Sequence, residues 1–418
     1  MNSGQVTRAA AIAPPTALHP SRWSLAFIAT ASILAGWAQG ENPPWLVNPC
    51  PLRELTAKQA AELMKAFEFQ VLTLSVERLE QDVAEVLVRH PAGIEFAHLE
   101  QIDPKTAKLL ARCTSSLALN GVERLPPGVA EVLAASRAEL RLESLRELTS
   151  VPLAKKLASQ QGLLHFRALR RLDKPIVQIL SQGTAFLDLP ALEQLEDEAL
   201  AARLGMPGGV VEMPNLRQIS AGAARGLRSK PCHLYLSGVT AVDAPTAEAL
   251  VAQPGLLKVS RLAAVDSKTL VALLQNQGPL SIAAITQVPR VNGQVAPALT
   301  AALAAHAWPL GLGLSEGEVE AVAGGLRQRT AQVDLYGVKR LTKNLAASLV
   351  NCSGMIYLMQ VEKIDGGVTN VLLRHRQKPD GPPSGFVLPV MAKEQFRKWG
   401  HLGGIQQNGC IHFGNLLD

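Results

Sequence analysis

The segment "GLSEG" (313–317) has the G-x-S-x-G spacing that places a nucleophilic serine at a strand-to-helix turn in many hydrolases. Such a serine needs a histidine and an acid beside it, and the sequence assigns neither partner to Ser315. Ser315 also begins an S-x-x-E pattern with Glu318, which predicts a helix capping box. We therefore interpret Ser315 as a helix cap, and hydrolase activity remains a remote alternative.

Two acids, Asp243 and Asp266, occupy the same place in two similar segments, "HLYLSGVTAVDAPTAEALVAQPG" (233–255) and "LLKVSRLAAVDSKTLVALLQNQG" (256–278). In stacked coils of chain they would lie about 5 Å apart, close enough for an acid/base pair or a calcium ladder. Ser or Thr replaces Asp at this place elsewhere, and a helical pattern follows each time, so we predict helix N-caps instead. The predicted caps are Asp103, Thr149, Asp173, Ser220, Asp243, Asp266, Thr342 and Asp365.

Histidine and cysteine spacing gives no support for a metal or a cofactor. The nine histidines form no H-E-x-x-H pattern, and the five cysteines form no C-x-x-C pair. We predict no metal site, no cofactor and no disulfide between Cys50 and Cys410, because these two would lie at opposite ends of the coil. Cys352 and Cys410 are the pair nearest along the chain.

The elements that position these residues follow a repeat. An alternating x-L-x-L pair, typical of a short strand with two buried side chains, recurs every 23 or 24 residues from Ile94 to Leu280. The pairs are Leu72/Leu74, Ile94/Phe96, Leu117/Leu119, Leu140/Leu142, Leu164/Phe166, Leu187/Leu189, Val211/Met213, Leu234/Leu236, Leu257/Val259, Leu280/Ile282, Val333/Leu335 and Ile356/Leu358.

Each strand pattern is followed by a predicted short helix with a small residue and then a Leu on its buried face, as in Ala130/Leu133. Four glycines close units where a left-handed turn is expected: Gly162, Gly255, Gly278 and Gly354. One such unit has a single apolar face, so units must stack to share a core.

This pattern resembles the leucine-rich-repeat family over residues 51–376. The resemblance implies an α/β solenoid, a right-handed coil with one parallel β-sheet face and short helices on the other. The chain departs from the family in the turn after each strand, where Leu or Val stands in place of the usual Asn. The curvature that the family would imply is therefore open.

The rest of the chain is assigned around this repeat domain of about 13 units, in which residues 289–331 are expected to be irregular. Residues 1–38 combine Arg8 and Arg22 with an apolar run (23–38), which predicts a signal peptide or, alternatively, an uncleaved membrane anchor. Residues 39–50 are a predicted linker, and residues 377–418 a predicted linker and C-terminal cap segment. We expect an exported protein.

Charge argues against a nucleic-acid partner. The full chain has 41 basic and 35 acidic residues, and removal of residues 1–38 leaves 39 against 35, a net charge of +4. Nucleic-acid grooves need a dominant positive charge, which this balance does not supply.

The candidate binding surface is the row of x residues, which point away from the core. The row is Thr73, Glu95, Ala118, Arg141, His165, Asp188, Glu212, Tyr235, Lys258, Ser281, Asp334 and Tyr357. All three tyrosines of the chain, Tyr235, Tyr336 and Tyr357, are predicted on strands and facing outward, and Tyr and Arg often anchor interfaces. The residues we expect to bind are Arg141, His165, Asp188, Glu212, Tyr235, Lys258, Asp334, Tyr336 and Tyr357.

We interpret the chain as a non-catalytic scaffold that binds a protein or glycan partner through this face. One alternative is a structural component of the cell envelope that self-associates. Another is an intracellular scaffold, which requires residues 1–38 to be retained and unprocessed.

Overall fold

The structure of the chain is a computed structural model. It describes residues 43–229, 231–251, 255–262, 265–350, 352–372, 385–389, 405–407 and 410–414. The chain divides into two units, Met1–Val47 and Asn48–Asp418. Of the first unit only residues 43–47 are described, and the backbone N–H of Leu46 donates to the carbonyl of Pro43 there. The predicted signal peptide lies outside the described residues.

The second unit alternates short strands with short helices. The helices are α1 (Ala57–Ala66), α2 (Gln81–Leu87), α3 (Pro104–Leu110), α4 (Pro127–Ala134), α5 (Val151–Ala158), α6 (Lys174–Gln182), α7 (Glu198–Ala201), α8 (Ala221–Arg228), α9 (Ala244–Leu250), α10 (Ser267–Leu273), α11 (Pro297–Ala305), α12 (Glu316–Leu326), α13 (Lys343–Leu349) and α14 (Val368–Leu372).

The strands are β1 (Leu72–Leu74), β2 (Ile94–Phe96), β3 (Ser116–Leu119), β4 (Glu139–Arg141), β5 (Leu163–His165), β6 (Phe186–Asp188), β7 (Gln194–Leu195), β8 (Val210–Glu212), β9 (Gln218–Ile219), β10 (His233–Tyr235), β11 (Leu257–Lys258), β12 (Leu280–Ile282), β13 (Arg290–Val291), β14 (Gln294–Val295), β15 (Leu310–Leu312), β16 (Val333–Leu335), β17 (Arg340–Leu341), β18 (Met355–Tyr357), β19 (Lys363–Ile364), β20 (Gly385–Pro389), β21 (Ile405–Gln407) and β22 (Cys410–Gly414).

Parallel pairing of equivalent strands makes this an α/β solenoid. Leu234 pairs with Leu257, and Leu257 with Leu280, so that the inward side chains of successive units stack in register. These leucines are at most 1% exposed, and the inward leucines of the helices, such as Leu133, are at most 3% exposed. Since each unit covers the apolar face of the one before, the core is a continuous stack rather than a single central cluster.

Most of the predicted N-cap residues cap their helices with a side-chain hydrogen bond. Asp103, Ser220, Asp243, Asp266 and Thr342 each accept a hydrogen bond from a backbone N–H in the first turn of the helix that follows. Asp173 holds the cap position of α6 without such a bond.

Two of the predicted caps are wrong. The cap of α5 is Ser150, not Thr149: the Ser150 side chain accepts a hydrogen bond from the N–H of Leu153, whereas the third residue after Thr149 is Pro152, which has no N–H to donate. Asp365 lies outside the first turn of α14 and accepts a hydrogen bond from Nε of Arg340 at 2.7 Å instead.

The outward face is divided into three ladders, which corrects the prediction of one sheet. Strands β1–β4 form the first ladder and β5–β6 the second. The third has ten strands in the order β21-β22-β20-β18-β16-β15-β12-β11-β10-β8. Between β4 and β5 the side chain of Gln160 takes the place of a neighbouring strand. Between β6 and β8, Leu204 bridges to Leu187 and the guanidinium of Arg203 donates to the carbonyl of Ala185.

The stretch 289–331 is less irregular than its sequence indicates. Leu310 on β15 pairs with Leu280 and with Val333, so β15 takes the place of an ordinary repeat strand. The additional length of this coil is the hairpin β13–β14, whose turn residues Asn292 and Gly293 have φ of 51° and 77°.

Glu318 anchors this hairpin, and the capping box predicted for Ser315 is wrong. The Glu318 carboxylate accepts from Nη2 of Arg290 at 2.8 Å and from the backbone N–H of Val288 at 3.1 Å. Ser315 is at the N-cap of α12 but makes no side-chain cap hydrogen bond.

Glycines stack in several of the turns that follow the strands, one residue before the Leu or Val that stands in place of Asn. A Cβ on Gly337 would lie 2.0 Å from the carbonyl oxygen of Gly313 in the preceding coil, so successive turns touch through their backbones. Among the glycines expected in left-handed turns, Gly162 has φ 86°, whereas Gly278 and Gly354 have no positive φ. A Cβ on Gly354 would lie 2.5 Å from the carbonyl oxygen of Ala331, so close packing explains this glycine.

Both edges of the solenoid are paired. The side chain of Asn48 makes hydrogen bonds with Val71 and Thr73, and Cys50 forms a parallel bridge with Leu74. Residues 48–50 thus cover β1, although the sequence places them in a linker. At the other end β20 pairs in parallel with β18, and β22 and β21 add in antiparallel.

Candidate functional site

The predicted row of outward residues is present but interrupted. Arg141 lies on the first ladder, His165 and Asp188 on the second, and the remaining candidates on or beside the third. The predicted exposure of Ala118 is wrong, because this side chain is only 6% exposed. The structure therefore does not bring the nine candidates together as one continuous surface.

The third ladder places Glu212, Tyr235 and Lys258 side by side on β8, β10 and β11. The Nζ atom of Lys258 lies 5.7 Å from the centroid of the Tyr235 ring. A cation this close to the face of an aromatic ring is attracted to it, so the Lys258 side chain is held along the sheet surface. Glu212 is exposed next to this pair.

The prediction that Tyr336 lies on a strand is wrong. Tyr336 lies in the turn immediately after β16. Its ring lies over Gly311 of β15, where a Cβ would be 2.7 Å from Cε2 of Tyr336. Its hydroxyl is hydrogen-bonded to the side chain of Ser281 on β12, and the residue remains 39% exposed. The aromatic ring thus spans two strands of the outward face, because Gly311 leaves room for it.

Asp334, on β16, pairs with Gly311 and is hydrogen-bonded by Gln332. The amide of Gln332 donates to both carboxylate oxygens of Asp334, at 3.0 and 3.1 Å. Burial raises the pKa of Asp334, and the hydrogen bond from Gln332 opposes that change. Burial also raises the pKa of Tyr336, with a smaller contribution from the negative charge of Asp334.

The end of this face is more apolar than the predicted row of outward residues indicates. Tyr357 pairs with Asp334, and Met359, two residues further on, is 40% exposed. Met355, at the start of β18, is half-buried on the same side of the strand as Tyr357. The signal was in the sequence, because Met355, Tyr357 and Met359 alternate with the inward residues Ile356 and Leu358.

The other two ladders hold one ion pair and one hydrogen bond between a histidine and a carboxylate. Nη2 of Arg141 lies 3.2 Å from Oε1 of Glu139 on the same strand, and Nδ1 of His165 lies 2.8 Å from Oδ2 of Asp188 on β6. These pairs are partly exposed, so they orient side chains more than they stabilise the fold.

The catalytic alternatives find no support among the described residues. Ser315 begins α12 with neither a histidine nor an acid as a hydrogen-bond partner. The carboxylates of Asp243 and Asp266 each accept a hydrogen bond from the first turn of their own helix, as N-caps do. No group of three metal-ligating side chains occurs within the described residues.

Four cysteine side chains are described, and all are buried. Cys50, Cys113 and Cys352 are free thiols, and Cys232 is 5% exposed. The side chain of Cys410 lies outside the described part of the chain. Burial raises the pKa of Cys113 to about 11 and that of Cys352 to about 12, so both thiols stay protonated at neutral pH.

Neither a model of a known protein family nor a curated protein matches the chain. Among solved structures it is similar to an internalin from Listeria monocytogenes str. 4b F2365, with 15% sequence identity and a TM-score of 0.41. The match covers 73% of this chain and 88% of the internalin chain. The assignment of an α/β solenoid rests on the strands and helices described above.

No helix in the described ranges is long and apolar enough to cross a membrane. The apolar run at 23–38, the candidate anchor, lies outside those ranges.

Proposed function

We propose that this chain is a non-catalytic repeat scaffold that binds a protein partner through the outward face of its third ladder. The proposal is carried by the exposed Tyr336, whose ring lies over Gly311 after β16, and by Met355, Tyr357 and Met359, which alternate on the outward side of the neighbouring strand β18 and just beyond it. Tyrosine offers a large contact area at a small entropic cost, and methionine adapts to irregular partners. A glycan is the other partner class that the sequence leaves open.

The chemistry of the face favours a protein over a glycan or nucleic acid. Exposed methionine side chains next to tyrosines are typical of protein interfaces, whose centres are depleted in charge. Charges of both signs, Lys258 and Glu212, flank Tyr235 toward the β8 end of the ladder, whereas Met355 and Tyr357 lie on β18. An apolar region with charged residues to one side of it fits an apolar contact with a polar rim, as in many protein complexes.

Export is part of the proposal. It rests on the basic residues and the apolar run of residues 1–38, and places the repeat domain (51–376) outside the cytoplasm. Mass measurement of protein recovered from its native host tests it: cleavage near residue 38 supports export, and an intact N-terminus supports an uncleaved anchor or an intracellular scaffold.

Affinity capture with the chain from residue 39 onward tests the binding face. A triple variant with Tyr235→Ala, Tyr336→Ala and Tyr357→Ala should lose a partner that the wild-type chain retains. The matched control replaces three exposed apolar side chains: Phe69→Ala, Val151→Ala and Val291→Ala. Each of them is more exposed than the half-buried Tyr235 and Tyr357. These lie in the loop after α1, in α5 and in the β13–β14 hairpin.

Selective loss in the tyrosine variant supports the proposal, and digestion of the captured material with a protease or a glycosidase identifies its class. Equal capture by the wild type, the tyrosine variant and the control variant would refute the proposal that this face binds the partner. Ordered assembly of the purified chain without any other ligand would favour the structural envelope component.

A further inference from the structure

The gap between β4 and β5 is a feature of the outward face that has no part in the proposed function. In the described chain β4 pairs with β3 and β5 with β6, but no ladder joins β4 to β5. The strands meet again just beyond their ends, where the backbone N–H of Arg167 donates to the carbonyl of Glu143 at 2.8 Å. The two strands therefore diverge locally, and they leave a wedge in the outward face.

A cavity of about 140 Å³ occupies this wedge. Its apolar lining includes Leu140, Leu157, Leu163 and Phe166. Arg141 and His165, two residues of the candidate row, also line it, so the cavity lies at the outward face. For comparison, an apolar protein cavity of about 150 Å³ lined by Leu, Ile and Phe binds benzene or xenon.

The polar groups of the lining are already paired within the chain. The Arg141 guanidinium pairs with the Glu139 carboxylate, and Oε2 of Glu143 lies 3.1 Å from Nε of Arg167. The His165 ring is hydrogen-bonded to the Asp188 carboxylate. A charged ligand would have to break one of these pairs to gain a partner. Charge complementarity therefore favours an uncharged occupant, whose apolar part enters the cavity.

We infer that this cavity is a specificity pocket that accepts one aliphatic side chain, such as leucine or methionine, from the protein partner. The inference rests on the proposed function, and it extends the contact surface from the third ladder to the break between the first two. Pockets of this kind, apolar inside and rimmed by polar groups, hold the anchor residues of protein interfaces.

Small amino-acid amides test the pocket without a partner. N-acetyl-leucine methylamide should bind the wild-type chain, as seen by ligand-observed NMR, and the glycine and aspartate analogues should bind at least tenfold more weakly. Leu163→Trp places a large ring at the half-buried mouth of the pocket and should reduce leucine-amide binding at least tenfold. Leu256→Trp is the matched control. Leu256 is half-buried and stands one residue before the inward Leu257, just as Leu163 is half-buried and stands one residue before the inward Leu164.

A blocked pocket can also be made after folding, in case Leu163→Trp does not fold. Leu163→Cys, purified in the folded state and then modified with benzyl methanethiosulfonate, should lose leucine-amide binding, while modified Leu256→Cys should retain it.

Equal binding of the leucine and glycine amides, tighter binding of the aspartate amide, or no effect of blocking position 163 would overturn the inference. The capture experiment with the tyrosine variant does not depend on this result, so failure of the pocket and failure of the binding face can be told apart.

Discussion

The side-chain amide of Gln160 replaces a strand neighbour for Leu140. The backbone N–H of Leu140 donates to Oε1 of Gln160 at 2.7 Å, and Nε2 of Gln160 donates to the carbonyl of Leu140 at 3.0 Å. Both groups are buried, with Gln160 8% exposed. The solenoid can thus open its sheet at β4 without leaving the backbone of Leu140 unsatisfied.

We predict that Gln160→Leu destabilises the chain by roughly 1–3 kcal/mol, because it leaves the N–H and the carbonyl of Leu140 buried without partners. Urea unfolding measures this change. Gln161→Leu, at the exposed neighbouring position, should change the free energy of unfolding by less than about 0.5 kcal/mol. Equal effects of the two substitutions would show that the amide does not support the open strand.

Arg329 is the second buried polar side chain on which the architecture depends. It is 1% exposed, and its guanidinium donates to the carbonyls of Leu303, His306 and Trp308, which position the turn before β15. Burial lowers its pKa to about 10, so it remains charged at neutral pH.

Arg329→Met should lower the free energy of unfolding by roughly 1–3 kcal/mol or more, since three buried carbonyls lose a donor. Arg329→Lys should not restore it, because an ammonium group lacks the planar fork that reaches all three. Thermal unfolding of both variants tests this. Full stability of Arg329→Lys would mean that charge alone is sufficient at this site.

Two adjacent glycines of α12 should respond in opposite ways to alanine. A Cβ on Gly324 meets nothing within 4 Å, whereas one on Gly325 would lie 2.7 Å from the carbonyl oxygen of Thr300 in α11. Gly324→Ala should stabilise the chain by about 0.5–1 kcal/mol through helix propensity. Gly325→Ala should destabilise it by roughly 1–3 kcal/mol, because α11 and α12 must move apart.

Denaturant unfolding of the two single variants provides this comparison, and each serves as the control for the other. Destabilisation of both to the same extent would contradict the close approach of α11 and α12 at Gly325.

The caps Asp243 and Asp266 should make stability depend on acid pH. Hydrogen bonds from Thr246 lower the pKa of Asp243, from its side chain first and then from its backbone N–H. The backbone N–H of Thr269 is the main cause of the lowered pKa of Asp266. A carboxyl group with a lowered folded pKa stabilises the fold above its unfolded pKa of about 3.9, and this contribution disappears as the pH falls through the folded pKa.

The double variant Asp243→Asn, Asp266→Asn keeps acceptors at both caps but does not titrate. Urea unfolding at a series of pH values should show the wild type more stable than this variant near neutral pH, with the difference vanishing below the folded pKa values. A difference that is constant across the acid range would show that ionisation of these caps does not contribute to stability.

The sequence by itself determined the repeat unit. The alternation in Leu234/Leu236, the cap at Asp243 and the pair Ala247/Leu250 each express local chemistry: strand pleat, N-cap acceptor and close helix packing. All of these are confirmed, because a unit of this length leaves its residues few other ways to bury their apolar side chains. The outward direction of Tyr235 and Lys258 followed from the same alternation.

Only the tertiary structure decided where neighbouring units fail to match. The break at β4, the pairing of β15 with β12 across a longer coil, and the position of Tyr336 over Gly311 all depend on contacts between residues 20 to 30 positions apart. Local patterns carry no information about such contacts, since a side-chain amide can replace a strand and a glycine can make room for a ring only when another coil is there. The regular repeat of this protein can therefore be predicted from the sequence of each unit. Its candidate binding features arise where neighbouring units do not pair in the regular way.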